Sequence, residues 1–271
     1  MILAFSDPTP WLQHARPPVA AVLLVALWTA ESVVPMFLGR HRRVSHYAHN
    51  LGLAIFNAAL LMGLGYLFEG ATEWAYTQSF GLLNLTPLPT GIHWVAAIVG
   101  IDVWQYAWHR LNHRLPFLWR FHAVHHADAE MDASSGLRFH TVEMLLSFLV
   151  RLAIVPLLGI TLPELLLYEV ISLPVILFQH SNVRISARLD QCLRWLIATP
   201  RMHYVHHSRL RAETDSNYTS LLSVWDRLFG SFQLRSKPEE ISLGLEGYDE
   251  SEWRRLSGML LAPFKRHRGG E

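Results

Sequence analysis

The histidines of this chain are the residues whose number and spacing point most directly to chemistry. The sequence has 16, and most lie between positions 109 and 207, in the segments WHRLNH, FHAVHH, RFHTVE, FQHSN and RMHYVHH. Within three of these segments the histidines are three or four residues apart, so on a helix they share one face. Neutral imidazole is the commonest metal ligand among side chains. Each segment therefore predicts one rigid edge of a metal coordination sphere.

Accidental clustering is the main alternative, because a histidine-rich chain produces some close pairs at random. At the chain's own frequency of 16 in 271, one H-x-x-H-H triplet is expected roughly once in twenty such sequences, and two on the order of once in several hundred. Two such triplets occur, at 122–126 and 203–207. The sequence therefore favours metal binding over histidines that only satisfy local hydrogen bonds.

The number of histidines exceeds what a single ion uses, since a closed zinc site has four ligands and a catalytic one three. It predicts two ions, each with four or five nitrogens and open coordination positions. Imidazole suits zinc, copper, iron and nickel alike, so the ligand type leaves the metal open. The H-E-x-x-H pattern of hydrolytic zinc enzymes is absent, and an all-imidazole pair of redox-active ions is better suited to activating dioxygen. We therefore expect two iron ions, with O2 as co-substrate.

The order of the motifs resembles that of a known family. H-x3-H, H-x2-H-H and a second H-x2-H-H are split by an apolar hairpin and followed by NY and WDRLFG. This set, over roughly residues 92–235, resembles the fatty acid hydroxylase and sterol desaturase superfamily of membrane-bound histidine-motif oxygenases. The resemblance implies a non-haem di-iron enzyme that uses O2 and supplied electrons to hydroxylate or desaturate a lipid C–H bond. It leaves open whether the lipid is a sterol, a fatty acyl chain, a carotenoid or a related molecule.

The resemblance also implies a set of metal ligands and no catalytic residue separate from the metal site. Eight ligands come from the three motifs, and His140 in RFHTVE and His180 in QHSN match recurrent family positions more loosely. The expected ligands are His109, His113, His122, His125, His126, His140, His180, His203, His206 and His207. A ferredoxin-like or cytochrome b5-like electron donor is expected as a separate partner, because no such domain is evident in this sequence.

Three carboxylates are candidates for orienting the imidazoles, since a ligating histidine usually donates its other N–H to a carboxylate or carbonyl. Asp102 precedes His109 by seven residues and lies in an apolar segment, where an unpaired carboxylate costs about 2.5 to 3.5 kcal/mol on insertion scales. Glu143 and Asp226 are the other two. Pairing with an unrelated arginine, or hydration near the membrane interface, would explain Asp102 without a metal. A role in a helix cap or turn would explain Glu143 and Asp226.

Long apolar blocks must position these residues. Hydrophobic residues make up 51% of the chain and charged residues only 17%, whereas an ordinary soluble domain has about 25% charged residues. The blocks are long enough to cross a hydrocarbon layer about 30 Å thick. They are residues 19–38, 50–69, 92–108, 142–159 and 162–179. We predict an all-α polytopic membrane bundle of about four to five transmembrane helices, with a cytosolic helical cap that carries the histidine cluster.

The distribution of arginine predicts the orientation, because loops rich in Lys and Arg tend to remain cytoplasmic. Basic residues concentrate after the first, third and fifth blocks, whereas residues 70–91 have none. We therefore expect a single integral-membrane domain over residues 1–271, with transmembrane helices in 19–108 and a membrane hairpin at 142–179. Its cytosolic parts are a first histidine segment, 109–140, and a cap, 180–271. The expected location is a bacterial inner membrane, or the endoplasmic reticulum if the source is eukaryotic.

Two other function classes remain open from the residues alone. A metal transporter or sensor would also concentrate imidazoles in a membrane protein, although transport sites tend to lie near the bilayer midplane. A haem protein in electron transfer would need only a few axial histidines. Nucleic-acid binding is not expected, because the net charge is only +1 and supplies no field to attract phosphates.

Overall fold

The computed structural model describes residues 8–40, 42–248 and 251–265, and His41 and His267 lie outside them. Within these ranges the regular structure is helical and no β-strand forms. The α-helices are α1 Thr9–Val33, α2 Arg43–Met62, α3 Gly65–Thr77, α4 Thr90–Arg114, α5 Pro116–His126, α6 Thr141–Leu158, α7 Leu162–His180, α8 Ala187–Leu193, α9 Pro200–His206, α10 Arg211–Thr214, α11 Val224–Leu228 and α12 Leu256–Leu261. Short 3-10 turns connect several of them. The all-helical fold class is confirmed.

Three helices, α1, α6 and α7, are long and apolar enough to cross a membrane. Helix α2 and the segment Gly65–Asn84 meet the same criterion together, but they bend by 52° at the break after Met62. The structure therefore contains three candidate spans among its described residues, or four if the bent pair counts as one. The chain is an integral membrane protein, and the predicted block 50–69 is two helices rather than one.

Helix α4, predicted as an interrupted third span, is not among these candidates. Its buried face carries both apolar residues such as Ala97 and Ile101 and polar ones such as Asp102 and Asn112. The apolar part packs into a core with Leu165 of α7. Helix α4 therefore packs inside the bundle and places buried polar residues there.

The end of α1 is tied to the histidine-bearing segments through one carboxylate. Glu31, the only charge in the predicted block 19–38, is 2% exposed. Its Oε1 accepts hydrogen bonds from the backbone N–H of Ala133 at 2.8 Å and of Asn182 at 2.9 Å. Arg43 pairs with Oε2 at 3.0 Å. The charge is thus fully partnered and anchors the chain just beyond His180.

The turn between α6 and α7 packs against a second turn, and one glycine from each turn makes the contact. Gly159 ends α6 in the left-handed conformation, with φ of 78°. Gly81 has φ of 107° and ψ of 158°, a region that only glycine populates readily. A Cβ added at Gly81 would lie 2.4 Å from the Cα of Gly159. The two backbones therefore approach too closely for any side chain at position 81.

Replacing Gly81 with alanine is expected to destabilise the fold by about 1–3 kcal/mol, because the backbone is strained and the neighbouring turn must move. Thermal unfolding of the purified protein in detergent measures the effect. Gly91→Ala is the matched control, since a Cβ there meets nothing within 4 Å. Equal melting temperatures for the two variants would contradict the close packing of the turns.

Candidate metal centre

The first two histidine motifs lie on two consecutive helices. His109 and His113 occupy one face of the last turns of α4, and Leu115 leaves the helix in an extended conformation. Pro116 then begins α5, as suits a residue without a backbone N–H. Helix α5 ends with His125 and His126. The abrupt change of direction at Leu115 brings the histidines of α5 back against those of α4.

The remaining histidines approach from two other helices. Helix α9 begins at Pro200 and carries His203 and His206, and His207 caps its C-terminus. His180 is the last residue of α7. All four are buried. The chain therefore delivers imidazoles from the ends of four helices to one interior region.

Nine of the ten predicted ligands form two groups in which one ring nitrogen per residue lies within 4.8 Å of the others. The first group is His109, His113, His122, His126 and His206, and the second is His125, His180, His203 and His207. Five and four nitrogens match the number expected for each of two ions. Both groups are fully buried.

The hydrogen bonds of the outer ring nitrogens leave lone pairs facing inward. Nδ1 of His109 donates to the carbonyl of Tyr218 and Nδ1 of His206 to that of Ser216, both at 2.7 Å. Because a neutral imidazole carries one N–H, their Nε2 atoms, 3.0 Å apart, are both acceptors. Two lone pairs at this distance repel unless a cation lies between them. The first group therefore fits a metal ion.

The second group repeats this arrangement. Nδ1 of His180 donates to the carbonyl of Ile176 at 2.7 Å, and Nδ1 of His125 to that of Arg138 at 3.2 Å. Their Nε2 atoms are 3.2 Å apart. Nε2 of His203 lies 2.9 Å from that of His180. Nitrogens about 2.1 Å from a shared ion would be separated by roughly 3 Å, so these spacings also suit a metal.

Several buried nitrogens of the first group have no hydrogen-bond partner among the described residues, although Nδ1 of His113 lies 3.6 Å from a carboxylate oxygen of Asp215. They are both ring nitrogens of His113 and His126 and Nε2 of His122. Buried polar atoms without partners are uncommon and call for an explanation such as an ion. A bound metal would account for one nitrogen of each of these rings.

Burial also sets the protonation state of the histidines outside the spanning helices. It lowers the pKa of His206 to about 3, and it lowers the pKa values of His126, His203 and His207 well below the ordinary value, with the neighbouring imidazoles adding to the effect. These rings are therefore neutral at physiological pH. Neutral imidazole is the form that binds metals.

The three predicted carboxylates occupy different positions. Oε1 of Glu143 accepts from Nδ1 of His122 at 2.7 Å, so Glu143 directly orients one imidazole. Asp226 accepts from the backbone N–H of Tyr218 at 2.8 Å and thereby positions the carbonyl to which His109 donates. Asp102 makes no hydrogen bond to any histidine that the structure describes.

Asp102 has other partners that account for a buried carboxylate on α4. Its Oδ1 accepts from the hydroxyl of Tyr168 at 2.9 Å, and its Oδ2 accepts from the indole N–H of Trp225 at 2.7 Å and the backbone N–H of Leu222 at 3.1 Å. Although it lies on the same helical stripe as His109, its side chain points to α7, to α11 and to the loop before α11. It fastens three parts of the structure together instead of orienting a ligand.

His140 lies in neither group, unlike the other nine expected ligands. Its Nδ1 accepts from the backbone N–H of Val142 at 3.1 Å and caps α6, and its Nε2 donates to the carbonyl of Leu260 at 3.2 Å. Both ring nitrogens are therefore occupied by the protein. His140 therefore caps the N-terminus of α6 and does not belong to either histidine group.

A buried ionic network beside the site was not singled out from the sequence. The ring nitrogens of His46 contact Asp132 at 2.7 Å and Asp128 at 2.9 Å. Burial alone would raise the pKa of Asp128, but His46 and Arg138 hold it well below its usual value. The carbonyl of Arg138 in turn receives the bond from His125. The D-A-E-M-D spacing of Asp128 and Asp132 was the available signal, and their partner on α2 could not be inferred from it.

An apolar cavity of about 600 Å³ connects the histidines to the spanning helices. Imidazoles from both groups line one end, including His109, His125 and His203. Side chains such as Phe68, Met144, Phe148 and Leu173 line the part between the spanning helices. The cavity thus connects the grouped histidines with the space between the candidate spans.

Comparison with known protein families identifies the family of this chain. The sequence profile of the fatty acid hydroxylase family matches residues 94–231. The chain belongs to the fatty acid hydroxylase family. The matched region contains all nine grouped histidines.

Several curated relatives within this family carry functional names. Ornithine lipid hydroxylase OlsE of Rhizobium tropici is 34% identical over 162 residues, 59% of this chain and 47% of the relative. Alkylglycerol monooxygenase of Homo sapiens is 29% identical over 202 residues, 71% of this chain and 42% of the relative. A cholesterol 25-hydroxylase-like protein of Danio rerio is 26% identical over 187 residues, 67% of this chain and 70% of the relative. The chain thus spans less than half the length of the first two. No solved structure matches.

Glu143→Gln is expected to lower metal affinity about 10–100-fold, the usual effect of removing a partner that orients a ligating histidine. Metal retained after dialysis against a graded series of chelator concentrations measures it. Glu73→Gln on the exposed face of α3 is the control. Identical retention in the two variants would show that Glu143 does not support the centre.

Asp102→Ala is expected to act differently, because it leaves the buried donors of Trp225, Tyr168 and Leu222 without an acceptor. The predicted cost is about 1–3 kcal/mol of folding free energy, with the metal content per folded molecule unchanged. Thermal unfolding and elemental analysis of the folded fraction separate the two quantities. Loss of metal without loss of stability would instead show that Asp102 orients a metal ligand.

Proposed function

We propose that the protein is a membrane-bound oxygenase that uses two iron ions and O2 to hydroxylate a C–H bond of a lipid. One observation carries the proposal: two groups of buried, inward-facing imidazoles lie at the end of an apolar cavity that continues between candidate membrane spans. The relatives named as a hydroxylase and a monooxygenase support oxygen insertion over desaturation.

The nine grouped histidines would hold the two ions. When bound, a pair of iron ions with open positions supplies the activation of O2 and the oxidation of the adjacent C–H bond. The protein contributes the fixed geometry, because the carbonyls of Tyr218 and Ser216 and the carboxylate of Glu143 hold the rings. Because neutral imidazole has no negative charge, these histidines would hold the ions without cancelling their formal charge.

The cavity determines what can reach the centre. Its walls between α2, α6 and α7 are mainly aliphatic and aromatic, so they favour an apolar chain and exclude water from the reacting carbon. A substrate can enter from the bilayer, since the surrounding helices are themselves candidate spans. We therefore propose a lipid substrate that reacts without leaving the membrane.

The electrons for O2 reduction would come from a ferredoxin-like or cytochrome b5-like donor, as the family resemblance implies. We propose that the centre faces the cytoplasm of a bacterial inner membrane, because arginines concentrate on the histidine side of the helices.

The alternative functions have less support. A haem needs two axial ligands, not groups of five and four. The histidines also lie at helix ends, away from the middle of the spans where transporters bind their cargo.

Untargeted lipid mass spectrometry of cells with and without the protein tests the proposal. Expression is expected to produce lipids heavier by one oxygen atom, and His206→Ala is expected to abolish them by opening the first group. His14→Ala, which changes an exposed histidine of α1, should leave the product in place. Products lighter by two hydrogens would show that the reaction is desaturation and not hydroxylation. The absence of any change in lipids under inducing conditions would contradict the oxygenase function.

A further inference from the structure

Three charged side chains from three helices meet in the cavity at a distance from the histidines. Nη1 of Arg16 on α1 lies 2.6 Å from Oε2 of Glu169 on α7. Nη2 of Arg151 on α6 lies 2.7 Å from the other carboxylate oxygen. All three residues line the cavity that also reaches His180. We call these three residues the arginine cluster.

The arginine cluster lies within the candidate spans and not at their ends. Glu169 precedes His180 by eleven residues on α7, so a rise of 1.5 Å per residue separates them by about 16 Å along the helix. Arg151 similarly lies ten residues after Thr141 on α6. Charged residues at this depth are rare and are expected to serve a function. One end of the cavity therefore reaches the grouped histidines, and the other reaches the arginine cluster.

The charges of the cluster do not balance, since two guanidinium groups share one carboxylate. Nε of Arg151 is buried and has no hydrogen-bond partner, and the side chain of Arg16 is 47% exposed. The other carboxylate among the described residues of the cavity wall, Glu143, lies at the metal end and bonds to His122. An ion network that served only to join helices would leave neither an excess positive charge nor a buried unpaired donor.

We propose that the arginine cluster binds an anionic group, a carboxylate or a phosphate, of the long-chain lipid whose hydrocarbon reaches the histidines. Guanidinium groups suit these anions because their planar N–H donors match two oxygens at once. One added negative charge neutralises the cluster. Glu169 holds the two arginines together, and their remaining donors are left for the ligand. The inference rests on the proposed function in taking the ligand to be its lipid substrate.

Such an anchor would also determine which carbon is oxidised. A chain fixed at the arginine cluster extends along the apolar wall toward the histidines over about 16 Å. The carbon beside the metal centre is then set by chain length from the acidic group. The cluster therefore acts as a positioning and specificity site that touches the substrate far from the reacting bond.

Equilibrium binding of radiolabelled ligands to the purified protein in neutral detergent tests the inference. The ligands are palmitate, hexadecyl phosphate and hexadecanol, which share a chain and differ in the terminal group. We expect the wild type to bind at least one acidic ligand more tightly than hexadecanol. Arg151→Gln should weaken acid binding by about tenfold, as expected for a lost charged hydrogen bond, and change hexadecanol binding little. Glu169→Gln should strengthen acid binding, because it removes the competing carboxylate.

The opposite directions of these two effects distinguish ligand binding from simple destabilisation. Arg188→Gln, on an exposed part of α8, is the control and should change none of the affinities. Equal binding of all three ligands to the wild type would overturn the inference. So would parallel weakening of every ligand in both Arg151→Gln and Glu169→Gln. The comparison of palmitate with hexadecyl phosphate identifies the anion.

The binding measurement needs no turnover and no metal. Failure of the arginine cluster to bind anions would leave the oxygenase proposal standing. Conversely, selective acid binding in a protein without lipid oxidation would contradict the proposed function and not the anion site.

Discussion

The structure depends on hydrogen bonds that fix one nitrogen of a histidine so that the other faces inward. Where Nδ1 donates to a carbonyl, as in His109, His206 and His180, the inner Nε2 has only a lone pair. Several such lone pairs within about 3 Å of each other are unfavourable without a cation. The acceptor of His109, the carbonyl of Tyr218, is 109 residues away in sequence, so folding and metal binding are expected to stabilise one another.

The membrane-spanning part of the protein serves the same centre. Helices α6 and α7 form the walls of the cavity, and α7 ends in a histidine of the second group. The buried carboxylates described in and around these helices all have hydrogen-bond or ion-pair partners, but their structural roles differ. Glu31 binds backbone N–H groups and fixes a loop, whereas Glu169 faces two arginines at the cavity. The carboxylate thus fixes the backbone in the first case, and in the second it holds two arginines that we propose bind a ligand.

The sequence was sufficient for features that depend on local pattern. Apolar runs of span length predicted α6 and α7 to within about one residue, because a helix that faces lipid needs continuous apolar sequence. The break after Met62 was not predicted, since the apolar run continues through it. The prediction also began α1 after Pro17 and Pro18, but the helix begins at Thr9 and contains both.

Features that depend on distant partners could not be predicted in the same way. The motif around His140 looks like that of a ligand, yet its ring lies between the start of α6 and Leu260, contacts that no spacing rule encodes. Asp102 has the right helical stripe, but its direction is set by Trp225 and Tyr168. The type and period of a residue predict which face it occupies, and long-range packing decides what it meets there.

The division of the histidines between the two groups has a consequence for how the centre forms. Each H-x-x-H-H motif contributes to both groups: His122 and His126 belong to the first and His125 to the second, whereas His206 belongs to the first and His203 and His207 to the second. Residues four apart on a helix share a direction, and the residue between them points about a third of a turn away. Each group is therefore complete only when both α5 and α9 are in place. The two sites are parts of one folding unit, in which filling the first positions most of the ligands of the second.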